Sequence, residues 1–136
     1  MEPLYTTSAT ASGGRRDGRV RSASGTLDLA VDPPGHGTAT NPEELFAAGY
    51  AACFANAAIV SARKMKLDPA GLEVEAEVTL GRLDDGTYML GVELRMTAPQ
   101  LTAAEAQALI ETAHERCPYS RATRGNVDVA LVATGG

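Results

Sequence analysis

The sequence predicts an α+β fold in which a long central helix and a second helix lie on a curved antiparallel sheet. Three observations predict it: an alanine-rich apolar segment over residues 45–60, strictly alternating polarity over residues 72–80 and 90–96, and a shorter alternation over residues 127–131. The chain has 136 residues, of which 44% are hydrophobic and 21% charged, as is usual for a globular protein. We therefore expect one domain over residues 1–136.

The first forty residues predict a small β-meander. Residues 4–11 have strand character, residues 13–18 form a glycine-rich turn, and residues 27–31 alternate in polarity. Residues 32–37 contain two prolines and two glycines, which cannot continue a strand because proline lacks the donor N–H. We expect a loop from there to Asn41.

Asn41 marks the start of the long helix. It is a good N-cap, Pro42 suits the first helical position, and Glu44 stands three residues after the cap, as in a capping box. The helix is expected to end near Lys66. Because it is apolar nearly all round, we expect it to be buried on most sides.

The second half of the chain predicts a hairpin, a helix and a last strand. Residues 72–80 and 90–96 flank a tight turn at 84–86, so they should pair as antiparallel strands. A second capping box at Thr102 begins a helix that should end near Cys117.

Charge and composition exclude several classes of partner. The net charge of −5 gives no general attraction to nucleic acid or to anionic lipid. The N-terminus lacks the charged start and apolar run of a secretory signal, and residues 45–60 are fewer than the roughly 20 that a membrane span needs. We expect a cytoplasmic protein with no nucleic-acid or membrane partner, and hence reduced thiols.

The two cysteines are the first candidates for chemistry. Cys53 lies in the apolar helix, whereas Cys117 stands before Pro118 in a polar, turn-forming segment. A lone cysteine in a cytosolic core is ordinarily a small buried hydrophobic residue. The surroundings of Cys117 are not typical of that role, and both segments should meet in the core, so a reversible disulfide between the two is geometrically possible.

Other uses of these residues are less favoured. Zinc requires four ligands at recognisable spacing, whereas His36 lies in a loop and His114 forms only half a pair with Cys117, so we expect no metal site. A cysteine-protease arrangement is weakly supported without a histidine near both thiols. The run over residues 13–19 lacks the Lys-Ser/Thr ending of a P-loop, so a turn between strands is expected.

That turn nevertheless carries Arg15 and Arg16. A fixed guanidinium beside a thiol lowers the pKa of the thiol and can bind a developing anionic oxygen. Glu43 could hold such a guanidinium by a bidentate pair, although its position alone also suits a first-turn carboxylate at the helix dipole.

Two long segments resemble a known family. Residues 41–54 and 117–129 closely resemble the two cysteine motifs of the organic hydroperoxide resistance proteins, whose bacterial superfamily also contains the osmotically inducible proteins. Residues 4–7, the Gly-Gly-Arg turn and the strand at Leu27 match as well. The resemblance therefore covers essentially the whole chain.

The resemblance implies an antioxidant enzyme of the oxidative stress response. It would be a thiol peroxidase that reduces organic hydroperoxides to alcohols without metal, haem or flavin or any other cofactor, and it would work as an intertwined homodimer. By position, Cys53 is the peroxidatic thiolate and Cys117 the resolving thiol of a redox-active disulfide. A dithiol, typically protein-bound dihydrolipoamide, would return the enzyme to its reduced form.

The resemblance also assigns roles around the thiol. Glu43 matches the family glutamate that anchors the active-site arginine. Counting from Leu4 favours Arg15 as that arginine, whereas counting back from Gly25 favours Arg16, so both remain candidates.

An apolar lining is expected to decide which hydroperoxide the site prefers. Phe46, Phe54 and Tyr119 would favour an alkyl chain over hydrogen peroxide, since each buried CH₂ contributes about 0.8 kcal/mol. The alternative from a different class is a non-catalytic carrier of an apolar metabolite whose core contains two thiols.

Helix geometry predicts how the site is assembled. In a continuous helix, Glu43 and Cys53 are separated by about 15 Å along the axis and by about 80° around it. Either the helix breaks near Gly49, or Glu43 and its arginine serve Cys53 of the other subunit. We favour the second, because an alanine-rich apolar helix needs more covering surface than this small sheet provides.

Overall fold

The computed structural model describes residues 1–136 and has the expected α+β architecture, with six strands and three helices. In chain order these are β1 (Ala9–Ser12), β2 (Gly18–Ser22), β3 (Asp28–Val31), α1 (Pro42–Lys64), β4 (Glu73–Arg82), β5 (Tyr88–Ala98), α2 (Ala103–Arg116), α3 (Pro118–Thr123) and β6 (Val129–Gly135). The chain divides into two compact units, an N-terminal unit over Met1–Leu45 and a C-terminal unit over Phe46–Gly136.

The N-terminal unit contains the predicted meander. Strands β1, β2 and β3 pair antiparallel in that order, with Val20 of β2 opposite Ala11 on one side and Leu29 on the other. Strand β1 begins later than the sequence predicted, because only Ala9–Ser12 find partners on β2. All four residues of β1 are exposed.

Helix α1 begins at the predicted cap but with a different capping pattern. The Asn41 side chain accepts a hydrogen bond from the backbone N–H of Glu44 at 2.8 Å. The Glu44 carboxylate accepts instead from the hydroxyl of Thr40 at 3.0 Å, so the expected reciprocal capping box is only half formed. The helix runs without a break at Gly49 and ends at Lys64, close to the predicted end.

The sheet of the C-terminal unit corrects one expectation. Strands β4 and β5 form the predicted antiparallel hairpin, with Val78 opposite Val92. Strand β6 pairs parallel to β5, with Leu131 beside Leu94, so the expectation of a wholly antiparallel sheet is wrong at this edge. The reason is the connection: helices α2 and α3 lie between β5 and β6 in sequence, and such a crossover lets the chain return in the same direction.

The core of the C-terminal unit is built from one face each of α1, β5 and α2. Its largest fully buried apolar side chains are Tyr50, Phe54, Leu94, Met96, Leu109 and Ile110. Helix α2 begins with the predicted capping box, in which Thr102 and Glu105 bond reciprocally. This core places the C-terminal end of α2 against the middle of α1.

Helix α3 was not expected as a separate element. Cys117 has an extended backbone that ends α2 and begins α3, and Pro118 occupies the first turn of α3. Proline is preorganised for a first helical position, and this signal was present in the sequence.

Candidate active site

The two thiols lie side by side in the C-terminal unit. Cys53, near the middle of α1, and Cys117, at the junction of α2 and α3, are both free, and their Sγ atoms are 3.6 Å apart. A disulfide requires an S–S distance of about 2.05 Å, so a small movement of the two side chains toward each other would allow the bond to form.

The two thiols differ in accessibility. Cys117 is fully buried, whereas Cys53 is partly exposed and opens onto a cavity of about 300 Å³. A molecule in the cavity therefore reaches the sulfur of Cys53 and not that of Cys117.

The cavity is lined by one face of α1 and by the end of α2. Its lining residues are Cys53, Asn56, Ala57, Val60, Arg116 and Pro118. The members from α1 follow Cys53 by three, four and seven positions, which is the spacing of one helix face. Apart from Cys53, none of these residues was among the predicted site residues, although the spacing along α1 identifies Asn56, Ala57 and Val60 once Cys53 is chosen.

The three predicted aromatic residues lie elsewhere than in this lining. Phe54 is fully buried in the core, and Phe46 is half-buried with its ring edge-on to Tyr50, at 5.9 Å between centroids. Tyr119 is 41% exposed and its ring lies 5.8 Å from that of Tyr50. A Cβ at Gly49 would come within 3.1 Å of the Tyr119 hydroxyl, so a small residue allows this close packing.

The surroundings of Cys53 hold its thiol in the protonated form. Burial raises the pKa of Cys53, and the neighbouring Cys117 thiol raises it further, while a hydrogen bond from the backbone N–H of Tyr119 acts in the opposite direction. No cation of the C-terminal unit contributes to the shift. A reactive thiolate at Cys53 therefore needs an additional positive charge.

The N-terminal unit contains such a charge, held by a carboxylate. Arg15 Nη1 donates to Glu43 Oε2 at 3.1 Å, and Arg15 Nη2 donates to Glu43 Oε1, so the pair is bidentate. The hydrogen bonds from Arg15 lower the pKa of Glu43, against the opposing effect of its burial. The adjacent Arg16 is exposed and forms no ion pair or side-chain hydrogen bond.

A buried polar network that the sequence analysis missed lies beside Cys117. The Ser120 hydroxyl bonds to His114 Nδ1 at 2.8 Å and to the Tyr50 hydroxyl at 2.9 Å, and the Tyr50 hydroxyl also bonds to Thr123 at 3.1 Å. His114 stands in the last turn of α2, and burial lowers its pKa, as does the charge of Arg124. The network joins α3 to α1 and α2.

No group of three or more histidine, cysteine or acidic side chains comes together in a way that could hold a metal ion. His36 lies in the loop between β3 and α1, as expected.

Comparison with known proteins gives consistent matches. The family model described as OsmC-like protein matches residues 35–132. The organic hydroperoxide resistance protein of Xanthomonas axonopodis pv. citri is 46% identical over 135 residues, covering 94% of this chain and 93% of the relative. OhrB of Bacillus subtilis is 44% identical over 133 residues, covering 94% of this chain and 96% of its own.

A solved structure agrees over the full length. The crystal structure of an organic hydroperoxide resistance protein from Elizabethkingia anophelis, with thiocyanate bound, superposes with a TM-score of 0.91 at 45% identity. It covers 100% of both chains.

Proposed function

The chain belongs to the OsmC-like protein family, among its organic hydroperoxide resistance proteins, and we propose that it is a thiol peroxidase that reduces organic hydroperoxides to alcohols. One observation carries the proposal beyond the family. Two free thiols lie 3.6 Å apart, and the cavity reaches only one of them.

The first step oxidises Cys53. Its thiolate attacks the distal oxygen of the hydroperoxide, the O–O bond breaks, and the alkoxide takes a proton to leave as the alcohol. The sulfur is left as a sulfenic acid. The cavity supports Cys53 as the attacking thiol, because the distal oxygen must come into contact with the attacking sulfur and the cavity reaches only Cys53.

The second step joins the two sulfurs. The Cys117 thiol attacks the Cys53 sulfenic acid, a disulfide forms, and water leaves. The burial of Cys117 supports its role as the resolving thiol, because a hydroperoxide cannot reach it while its neighbour can.

A dithiol completes the cycle. Exchange through a mixed disulfide returns both cysteines to thiols and leaves the reductant as its own disulfide. The net reaction converts one hydroperoxide and one dithiol into one alcohol, one water and one oxidised dithiol. We propose a lipoyl group on a partner protein as this dithiol and the cytoplasm as the compartment, with no resident cofactor.

The cation that the thiolate needs is proposed to come from a second copy of the chain. Helix α1 is unbroken, so Glu43 and Cys53 are separated along its axis by about 15 Å. In a homodimer, the Arg15–Glu43 pair of one subunit would approach Cys53 of the other. Arg15 would then stabilise both the thiolate and the departing alkoxide.

Exposed apolar surface supports the homodimer. Only 28% of the most apolar 18-residue stretch of α1 is buried within the chain. This helix is long and apolar enough to cross a membrane by length and composition, a property that core helices of soluble proteins share. Leu4, Tyr5 and Leu27 are also exposed. A second copy would remove this surface from water.

Thiol titration tests the function directly. The reduced protein is treated with one equivalent of cumene hydroperoxide per chain, and its thiols are counted before and after. We expect the loss of two thiols per chain, and a faster reaction than with hydrogen peroxide because the cavity is mainly apolar. A protein that loses no thiols would be a carrier rather than a peroxidase.

Two variants assign the two steps. The Cys53→Ser variant should not reduce hydroperoxide. The Cys117→Ser variant should complete one turnover and then accumulate sulfinic acid at Cys53, because no thiol is left to resolve the sulfenic acid. Mass spectrometry that finds overoxidation mainly at Cys117 in the wild-type protein would reverse the assignment.

A further inference from the structure

Arg116 is a charged residue of the cavity that the reaction above does not use. It is the last residue of α2 and lines the cavity together with Cys53. The ion pairs of the chain are formed by Arg15, Arg19, Arg21 and Arg95. Arg116 takes part in none of them and donates no side-chain hydrogen bond, so its guanidinium is available to a ligand.

The rest of the lining carries no compensating charge. Ala57, Val60 and Pro118 are apolar, and Asn56 is polar but neutral. Within one chain, the cavity therefore offers an apolar surface, a reactive thiol and the Arg116 guanidinium, which, unlike Arg15 of the proposed second copy, has no carboxylate partner. A neutral hydroperoxide uses the first two features and leaves the guanidinium in water, whereas a hydroperoxide with a carboxylate uses all three.

We propose that Arg116 is a specificity-determining residue that favours hydroperoxides carrying a carboxylate over their neutral esters. The inference rests on the proposed peroxidase function and names the chemistry that this cavity selects. A guanidinium and a carboxylate pair through two parallel hydrogen bonds, which also fixes how the rest of the molecule points into the cavity. The carboxylate is bound and not consumed, so the oxidation of Cys53 is unchanged.

Activation of the thiol is a separate task from this one. Arg116 is not among the groups that shift the pKa of Cys53, although both residues line the same cavity. Removal of its charge should therefore change the choice between substrates and leave the pH dependence of Cys53 alkylation as it was. A residue that activates the thiol would change both.

A matched pair of substrates tests the proposal. The probes are cumene hydroperoxide with a carboxylate para to the peroxide-bearing carbon, and its methyl ester. Values of kcat/KM are measured for both with the wild-type protein and with Arg116→Met and Arg116→Lys. Arg121→Met is the control, because Arg121 is an exposed arginine of α3 outside the cavity lining and its loss changes the net charge equally.

We expect the wild-type protein to prefer the acid over the ester by about fivefold, the upper end of what an exposed ion pair contributes. Arg116→Met should abolish this preference by slowing reduction of the acid alone. Arg116→Lys should keep part of it, because an ammonium group retains the charge but not the two parallel hydrogen bonds, and Arg121→Met should keep all of it. The inference would be overturned if Arg116→Met slowed reduction of the acid and the ester equally, or if it left the ratio of their kcat/KM values unchanged. In either case, reduction of both probes would still support the peroxidase function. Failure of both probes to oxidise the wild-type thiols would contradict the function itself.

Discussion

The two arginines of the β1–β2 turn stand next to each other in sequence but differ in what they contact. Arg15 is held by two hydrogen bonds from its guanidinium to Glu43, whereas Arg16 is exposed without a partner. A guanidinium that a carboxylate holds in place has lost most of its rotational freedom before any substrate arrives. This geometry favours Arg15 over Arg16 for the proposed activation of the Cys53 thiolate.

A pair of substitutions tests this choice. In a Cys117→Ser background, where only Cys53 reports, we expect Arg15→Ala to raise the pH midpoint of iodoacetamide alkylation. The sign follows from the charge: a nearby cation favours the thiolate, and its removal leaves the burial that raises the pKa of Cys53 opposed only by the hydrogen bond from the backbone N–H of Tyr119. The protein should then react more slowly at neutral pH.

Arg16→Ala is the matched control, because it removes the same charge from the same turn. It should leave the alkylation midpoint where it is. If Arg16→Ala shifts the midpoint and Arg15→Ala does not, the roles are exchanged. If neither does, this turn does not activate Cys53.

At the scale of elements, α3 determines where Cys117, the proposed resolving cysteine, lies. This short helix is attached to α1 through the Tyr50 hydroxyl, which bonds to Ser120 and Thr123, and to α2 through His114. Cys117 is the residue at its N-terminal cap. A stable attachment of α3 therefore keeps the Cys117 sulfur beside the Cys53 sulfur.

Removing one hydroxyl tests the attachment. We expect Tyr50→Phe to lower the free energy of unfolding by about 1–2 kcal/mol, because it breaks hydrogen bonds to two buried hydroxyl groups whose other partners remain. Urea unfolding of the reduced protein at a fixed chain concentration measures this change.

Tyr88→Phe provides the comparison. The Tyr88 side chain is 65% exposed and forms no side-chain hydrogen bond, so its hydroxyl should contribute almost nothing to stability. If the two variants lose the same stability, the buried network does not hold α3 in place.

At the scale of the whole molecule, the proposed site needs residues from two chains. Cys53→Ser chains retain Arg15 and Glu43, and Glu43→Ala chains retain both cysteines. Refolded together, they should form mixed dimers with one intact site each, so random pairing restores about a quarter of the wild-type sites. Peroxidase activity of the mixture should therefore exceed that of either variant alone.

Two results would contradict the shared site. The first is a mixture whose activity is only the average of the two separate variants, which is expected when each chain holds a complete site. The second is a monomer in solution that retains full peroxidase activity. Analytical ultracentrifugation of the same samples relates each activity to its oligomeric state.

The elements of this protein were predictable from the sequence because each depends on residues a few positions apart. Asn41 and Pro42 begin α1, the capping box at Thr102 begins α2, and alternation over residues 72–80 and 90–96 predicts the hairpin. The two cysteine motifs are equally local and identified the family. Helix α3 was not predicted, because Pro118 and the polar residues after it are as typical of a turn as of a short helix.

Only the tertiary structure decided how residues distant in sequence combine. The 3.6 Å between the two sulfurs, the burial of Cys117 but not Cys53, and the place of Arg116 in the cavity all depend on how α1 and α2 pack on the sheet. The pairing of Glu43 with Arg15 likewise depends on the conformation of a turn far along the chain. The physical reason is that a sequence pattern determines which face of a helix or strand a residue occupies, whereas tertiary packing determines which other residues that face contacts.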